Sequence, residues 1–262
     1  MKFLCDIRTP PPGSRLIYDM SRPAEEGFER LAPPRKGEWR SLFPEKEQTF
    51  DDYVTSCAHR GSSLLSHFSI QPFGSVSPRA AATIRLMRDY AGAFFGLETV
   101  VHDPLPMFEN AHVPTRDQYN SSILLDELAL RVPNNALVHL GVADVDLFAR
   151  GKKFVFGEGS LARRAGICSL ARLKTADAGL FNRRALKLMT HEAGHVLSIA
   201  HCVTYRCVMQ GSNTLEESDG HPLHLCPVDL RKLEWNTGVD LAERNRKLRA
   251  FFLKAGWLAE AR

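Results

Sequence analysis

Residues 191–201 read His-Glu-Ala-Gly-His-Val-Leu-Ser-Ile-Ala-His, and no other run constrains the chain as tightly. On a helix, residues four apart share one face, so His191 and His195 can direct both Nε2 atoms at a single ion. Glu192 then sits beside the metal without binding it. A third nitrogen from His201 requires the helix to stop soon after His195 and the chain to turn back, which leaves the fourth tetrahedral position for water. A carboxylate beside that water is placed to act as general base in a metal-assisted hydrolysis. Two buried structural histidines on an amphipathic helix are the plainer explanation, but they leave the further histidine six residues on unaccounted for.

The downstream residues add a second metal signature. Cys202 follows the third histidine directly, Cys207 and Met209 come next, and Cys226 and Asp229 stand at the spacing of a C-x-x-C whose last member is replaced. On these residues the chain resembles the archaemetzincin family of zinc metallopeptidases, whose pattern is H-E-x-x-H-x-x-G-x-x-H-C-x4-C-x-M followed by a later C-x-x-C. The likeness extends upstream through 154–161 and 165–171 and downstream through 209–213 and 230–233.

The resemblance implies an α/β metzincin-type zinc peptidase: a twisted mixed β-sheet with helices above the active-site helix, and a smaller C-terminal lobe. It implies that His191, His195 and His201 hold a catalytic zinc, that Glu192 is the general base, and that a peptide or protein is the substrate. Met209 corresponds to the methionine of the Met-turn, an apolar floor beneath the imidazoles. Cys202, Cys207, Cys226 and Asp229 would hold a second, structural zinc, with His224 the next candidate for fourth ligand and His221 nearby. The alternative is a zinc-binding family member with little or no proteolytic activity.

Two positions depart from the family pattern. Ser198 replaces a glycine that normally ends the helix with φ > 0, at a cost of about 1 kcal/mol if serine adopts that backbone. Asp229 replaces a cysteine, giving a harder oxygen donor where the family has a thiolate.

Prolines at 10–12 and 33–34 make long regular elements unexpected before Gln48, so 1–77 reads as an extension packed on a catalytic domain at 78–262, with an upper lobe 78–200 and a lower lobe 201–262. A helix is expected within 51–66, weakened by Gly61-Ser-Ser63. Ser77-Pro78 starts a helix that Gly96 stops. A short strand follows at 97–102, a helix at 118–131, an inner strand at 136–148, and two strands at 154–156 and 165–173 separated by a Gly-rich turn. The metal helix is expected at 182–200 and two last helices at 227–234 and 241–254. A strand edge beside the cleft would hold an extended peptide, with 166–169 expected near it.

Composition sets the remaining bounds. With 262 residues, 44% of them hydrophobic, the chain can bury a sizeable core. No run of 18 apolar residues exists, which argues against a membrane span. The early Asp6 and Arg8 interrupt any signal-peptide core, so a cytoplasmic location is expected. Cys5, Cys57 and Cys168 are scattered and read as reduced thiols. A net charge of +4 is too small to argue for nucleic acid, and Arg163-Arg164 and Arg183-Arg184 read as solvated pairs. Tyr205 reads as a surface aromatic.

Overall fold

The computed structural model describes residues 28–160 and 162–261. Cys5 and the prolines at 10–12 lie outside them. The run Ala136–Ala143 has apolar residues on both faces of a strand, and the structure buries all eight at the centre of a sheet. In chain order the elements are α1 (Trp39–Leu42), α2 (Phe50–Ser56), β1 (His67–Phe73), α3 (Pro78–Phe95), β2 (Glu98–Val101), β3 (His112–Val113), β4 (Gln118–Asn120), α4 (Ser121–Ala129), β5 (Ala136–Ala143), β6 (Leu147–Phe148), β7 (Gly157–Ser160), β8 (Ala165–Ser169), α5 (Ala178–Val196), α6 (Leu215–Asp219), α7 (Pro227–Thr237) and α8 (Leu241–Lys254).

The main sheet runs β2-β1-β5-β8-β7, and the short strands β3, β4 and β6 form a second sheet. Within the main sheet only β7 runs antiparallel to its neighbour. Alternation along β5 divides the core: Val138, Leu140 and Val142 face α3 and α5, while Ala143 joins Phe73, Leu124, Leu128 and Ile167 beneath α4. The α/β class with a mixed sheet is therefore as expected. The helix at Pro78–Phe95 has its Ser77 cap and its left-handed Gly96. The last helix begins and ends where its apolar period does, and its Phe251 and Phe252 pack on Tyr90 of α3.

Several elements differ from the sequence expectations, each for a physical reason. The helix sought in 51–66 is only α2, held by a reciprocal cap between Thr49 and Asp52, and it ends well before Gly61. The following residues form β1, which the sequence reading missed within the stretch taken as an extension; it pairs with β2 on one side and β5 on the other. Polar Ser69 and Gln71 hide its strand pattern. Their partners are distant: Ser69 Oγ lies 2.6 Å from His102 Nε2 and 2.9 Å from His139 Nδ1. The 118–131 segment starts as β4, because Asn120 caps a helix beginning one residue later.

The expected order of strand and turn at 154–160 is reversed. Residues 154–156 hold only a single bridge, Leu147 to Val155, and the Gly-rich stretch itself is the edge strand β7. Its glycines exist for close approach to α5. A Cβ on Gly157 would lie 2.6 Å from Glu192 Oε1, and one on Gly159 would lie 2.7 Å from the Glu192 carbonyl oxygen. The strand at 165–173 stops at Ser169; β8 is internal and pairs with β7, so 166–169 lies next to the edge strand, which is β7 itself. The metal helix starts earlier than 182, where Asp177 accepts from Gly179 N and Leu180 N, and it ends at Val196.

Because the atom opposing Gly159 is backbone, it cannot rotate away. Gly159→Ala is expected to cost about 1–3 kcal/mol in urea denaturation, as overpacking does. A variant as stable as the parent would mean that β7 and α5 can separate freely.

Candidate metal centre

The outward face of α5 carries His191 and His195 side by side, with Nε2 atoms 3.0 Å apart. Each ring is oriented by its other nitrogen. His191 Nδ1 lies 3.0 Å from the Val208 carbonyl and His195 Nδ1 2.9 Å from the Ile199 carbonyl. A carbonyl only accepts, so both Nδ1 atoms carry the proton and both Nε2 lone pairs are free. Leu197 ends the helix, and Ser198 takes φ +68°, the left-handed backbone its place in the pattern demands. Ser198 N donates to the His195 carbonyl and Ile199 N to the Gly194 carbonyl, closing the turn. That turn returns the chain so that His201 joins the pair, and one nitrogen of each ring lies within 4.8 Å of the others. Burial and the neighbouring rings push the His195 imidazole down to about 4 and that of His191 well below its usual range. Neutral imidazoles with converging lone pairs fit a cation.

The residues that brace this turn come from the N-terminal side of the sheet. Glu45 Oε1 and Oε2 lie 2.8 and 3.0 Å from His201 Nδ1. Gln48 donates to the Ser198 carbonyl and accepts from Ala200 N, each at 3.0 Å. Tyr53 Oη donates to the Leu197 carbonyl at 2.8 Å, and Ala58 N donates to Ser198 Oγ at 3.3 Å. Sequence reasoning missed Glu45 and Gln48, and no local signal marks them, since each acts across about 150 residues of chain.

Glu192 lies beneath β7 and is 6% exposed. Burial, reinforced by Glu158, pushes its carboxyl up to about 8. The imidazoles and Glu192 share one cavity of about 240 Å³ with Gly157 and Gly159 of β7. Trp39 stands at its rim, its ring edge-on to His201 at 5.1 Å, and Lys152 lies over the Trp39 face at 5.1 Å. His221 lines this same cavity, away from the cysteines to which its sequence position seemed to tie it. Arg184 lines it too, paired with Asp219 and largely buried, where a solvated pair was expected.

A second cluster lies below. Donor atoms of Cys202, Cys207, Cys226 and Asp229 are all buried and within 4.8 Å of one another. Cys202 Sγ and Cys226 Sγ are 3.7 Å apart, close to the tetrahedral edge of about 3.8 Å that Zn–S bonds of about 2.3 Å imply. Backbone N–H groups of Met209 and Cys226 point at Cys207 Sγ, and that of Asp229 at Cys226 Sγ. Asp229 uses its two oxygens differently: Oδ2 lies 3.3 Å from Cys207 Sγ, and Oδ1 accepts from the buried Lys232 ammonium at 2.8 Å. His224 is outside the cluster, its ring against Phe28. Met209 packs on Gly194, where a Cβ would meet its sulfur at 2.4 Å, so the thioether lies directly against the helix between the two histidines. Tyr205 is buried, not a surface aromatic, and bridges to Arg30.

Comparison with known proteins agrees with this arrangement. The sequence model of Peptidase family M54 matches residues 120–235. Archaemetzincin-2 of Mus musculus is 30% identical over 278 residues, covering 89% of this chain and 77% of the mouse protein. The archaemetzincin of Methanocaldococcus jannaschii is 34% identical over 178 residues, covering 65% of this chain and 94% of its own. The crystal structure of archaemetzincin from Archaeoglobus fulgidus, complexed with malonate, matches with a TM-score of 0.56 at 32% identity, over 63% of this chain and 99% of that one. The structure from Methanopyrus kandleri matches with a TM-score of 0.60 at 28% identity, over 68% and 98%.

Two outcomes follow for the departures from the pattern. Asp229→Ala strands the Lys232 charge and should cost about 3–5 kcal/mol in denaturant, besides speeding metal release to a chelator. Adding Lys232→Met should recover much of the stability but not the metal retention; recovery of both would show that Asp229 serves only the ion pair. Ser198→Gly relieves about 1 kcal/mol of backbone cost but removes the acceptor for Ala58 N, worth a similar amount. Its unfolding free energy should stay within about 1 kcal/mol of the parent, and a larger gain would show that the Ala58 contact contributes nothing.

Proposed function

Since this chain belongs to the archaemetzincin family of zinc metallopeptidases, we propose that it hydrolyses peptide bonds, with His191, His195 and His201 holding zinc and Glu192 carrying the proton. One observation supports this above the rest: the ring nitrogens that face away from the common centre all have acceptors, two backbone carbonyls and the Glu45 carboxylate. That is the orientation a metal-binding imidazole needs.

Zinc bound there supplies Lewis acidity toward the scissile carbonyl and toward a water. The protein's own groups do the rest. Glu192, buried beside the histidines and facing the cavity, takes the proton of the attacking water and returns it to the leaving amine. Burial favours that exchange near neutral pH, because it holds the carboxyl well above its ordinary range. The edge strand β7 receives the substrate as an added strand, and its glycines let that strand lie close to α5. Trp39 and Phe156 shield the cavity from water.

Cys202, Cys207, Cys226 and Asp229 hold a second zinc that stabilises the lower lobe at 201–262, on the support of their spacing and of the N–H groups aimed at the sulfurs. Cys168 is a buried thiol, which supports a reducing, cytoplasmic setting. Among the described residues no helix is long and apolar enough to cross a membrane.

Metal analysis of the purified chain should give two zinc per molecule, falling to one in His195→Ala. Glu192→Gln should keep both and lose at least about 100-fold in kcat against a peptide library. A Glu192→Gln protein retaining half the parent rate would refute the assigned base. Two zinc with no turnover of any peptide by the parent would instead leave a zinc-binding member of the family.

A further inference from the structure

The cavity extends past His191 along α5 for one helical turn, into a chamber walled by Leu173, Leu188, Val208 and Leu215 and ending at Lys187 and His221. The arginines beside this chamber each have a carboxylate partner. Arg183 is paired with Glu260 at 2.7 Å, and Arg184 holds Asp219 through two nitrogens at 2.9 and 2.6 Å. Lys187 has no carboxylate in ion-pair contact among the described residues. Its Nζ donates to the Ser218 and Asp219 carbonyls at 3.0 and 2.9 Å, which fixes the ammonium in place and uses two of its three protons. Of the other carboxylates on the cavity wall, Glu158 accepts from Ser121 and Ser122, and Glu192 lies beneath β7. Burial pulls the Lys187 ammonium below its usual range; Asp219 opposes that shift, and Arg183 and Arg184 add to it.

We propose that this chamber receives a substrate carboxylate and that Lys187 selects it. The proposal rests on the peptidase reading of the adjoining histidines. Lys187 precedes His191 by four residues, about 6 Å along the helix, so a group bound there belongs to the residue next to the scissile bond. The apolar walls fit the methylenes of glutamate, with the carboxylate reaching the remaining N–H of Lys187 and the neutral His221 ring beside it. The same chemistry is offered by the α-carboxylate of a short peptide. In either case the gain is a charge-assisted hydrogen bond in a partly dry site, worth about tenfold or more in affinity.

The test uses the zinc-loaded Glu192→Gln chain and calorimetric binding of three blocked tetrapeptides: one with an internal glutamate and amidated end, its glutamine counterpart, and the glutamine peptide with a free C-terminus. At least one carboxylate-bearing peptide should bind about tenfold tighter than the neutral one. A gain confined to the glutamate peptide assigns the side chain, and a gain confined to the free end assigns the terminus. Lys187→Met should bring the ratio close to one, while Lys187→Arg, which keeps the charge, should retain most of it. A parent ratio near one, or a ratio that survives Lys187→Met, overturns the proposal; if Lys187→Met does not fold, the parent ratio together with Lys187→Arg decides it. Cleavage of the same peptides by the parent chain is scored separately. Selective binding without cleavage removes the peptidase reading and leaves the carboxylate chamber standing.

Discussion

The left-handed turn at Ser198 is the constraint on which the rest of the centre depends. Three imidazoles can meet at a point only if α5 stops one residue after Val196 and the chain doubles back before His201. That reversal leaves buried carbonyls and N–H groups at the end of a helix, where water cannot serve them. The structure satisfies them from far away in sequence: Gln48 spans Ser198 and Ala200, Tyr53 takes the Leu197 carbonyl, and Ala58 meets the Ser198 hydroxyl. The same stretch supplies Glu45 to His201. Residues 45–58 precede the family-model match at 120–235, so part of the support for the centre lies outside the stretch that the family model covers.

Close approach of β7 to α5 has an equal share. Glycines at 157 and 159 let the edge strand lie directly on Glu192 and the backbone of α5. This contact buries the carboxylate and lifts its proton affinity, and it leaves β7 as the border of the cavity. One steric fact thus sets both the environment of the proposed base and the edge along which a peptide would lie. On the far side Met209 fills the gap against Gly194, so the helix is held between a strand and a thioether.

Buried charge in the lower cluster follows a different logic. Asp229 is an acid among three thiols, and burial pushes its carboxyl up while Lys232 pulls it down. Lys232 is itself 3% exposed, a position tolerable for an ammonium only with a fixed partner. The replacement of a family cysteine by Asp229 therefore comes with a counter-ion one helical turn on, and the two residues form a unit. A cation in the cluster would relieve the remaining crowding of donors, which links the fold of this region to its metal.

The sequence by itself brought the three histidines and Glu192 together through their spacing along one short stretch, and its resemblance to the archaemetzincins implied the grouping of the cysteines with Asp229 and the positive φ at Ser198. It determined α3 and α8 as well, since an apolar period between a cap and a stop is local information. Tertiary structure decided what depends on contact between distant segments. Strand β1 hid behind Ser69 and Gln71, whose polarity makes sense only once His102 and His139 are beside Ser69 and the Asp103 carbonyl is beside Gln71. Strand β7 read as a turn because its glycines answer to α5 and not to the local backbone. Glu45, Gln48, Lys187 and His221 carry no motif; the first two reach the turn and His201, the last two line the cavity, and these places follow from packing that joins residues up to about 150 positions apart. Local periodicity records how a segment folds; which side chains orient a ligand, pair a charge or line a cavity is set by that packing, where a buried polar group must find its partner wherever the chain supplies one.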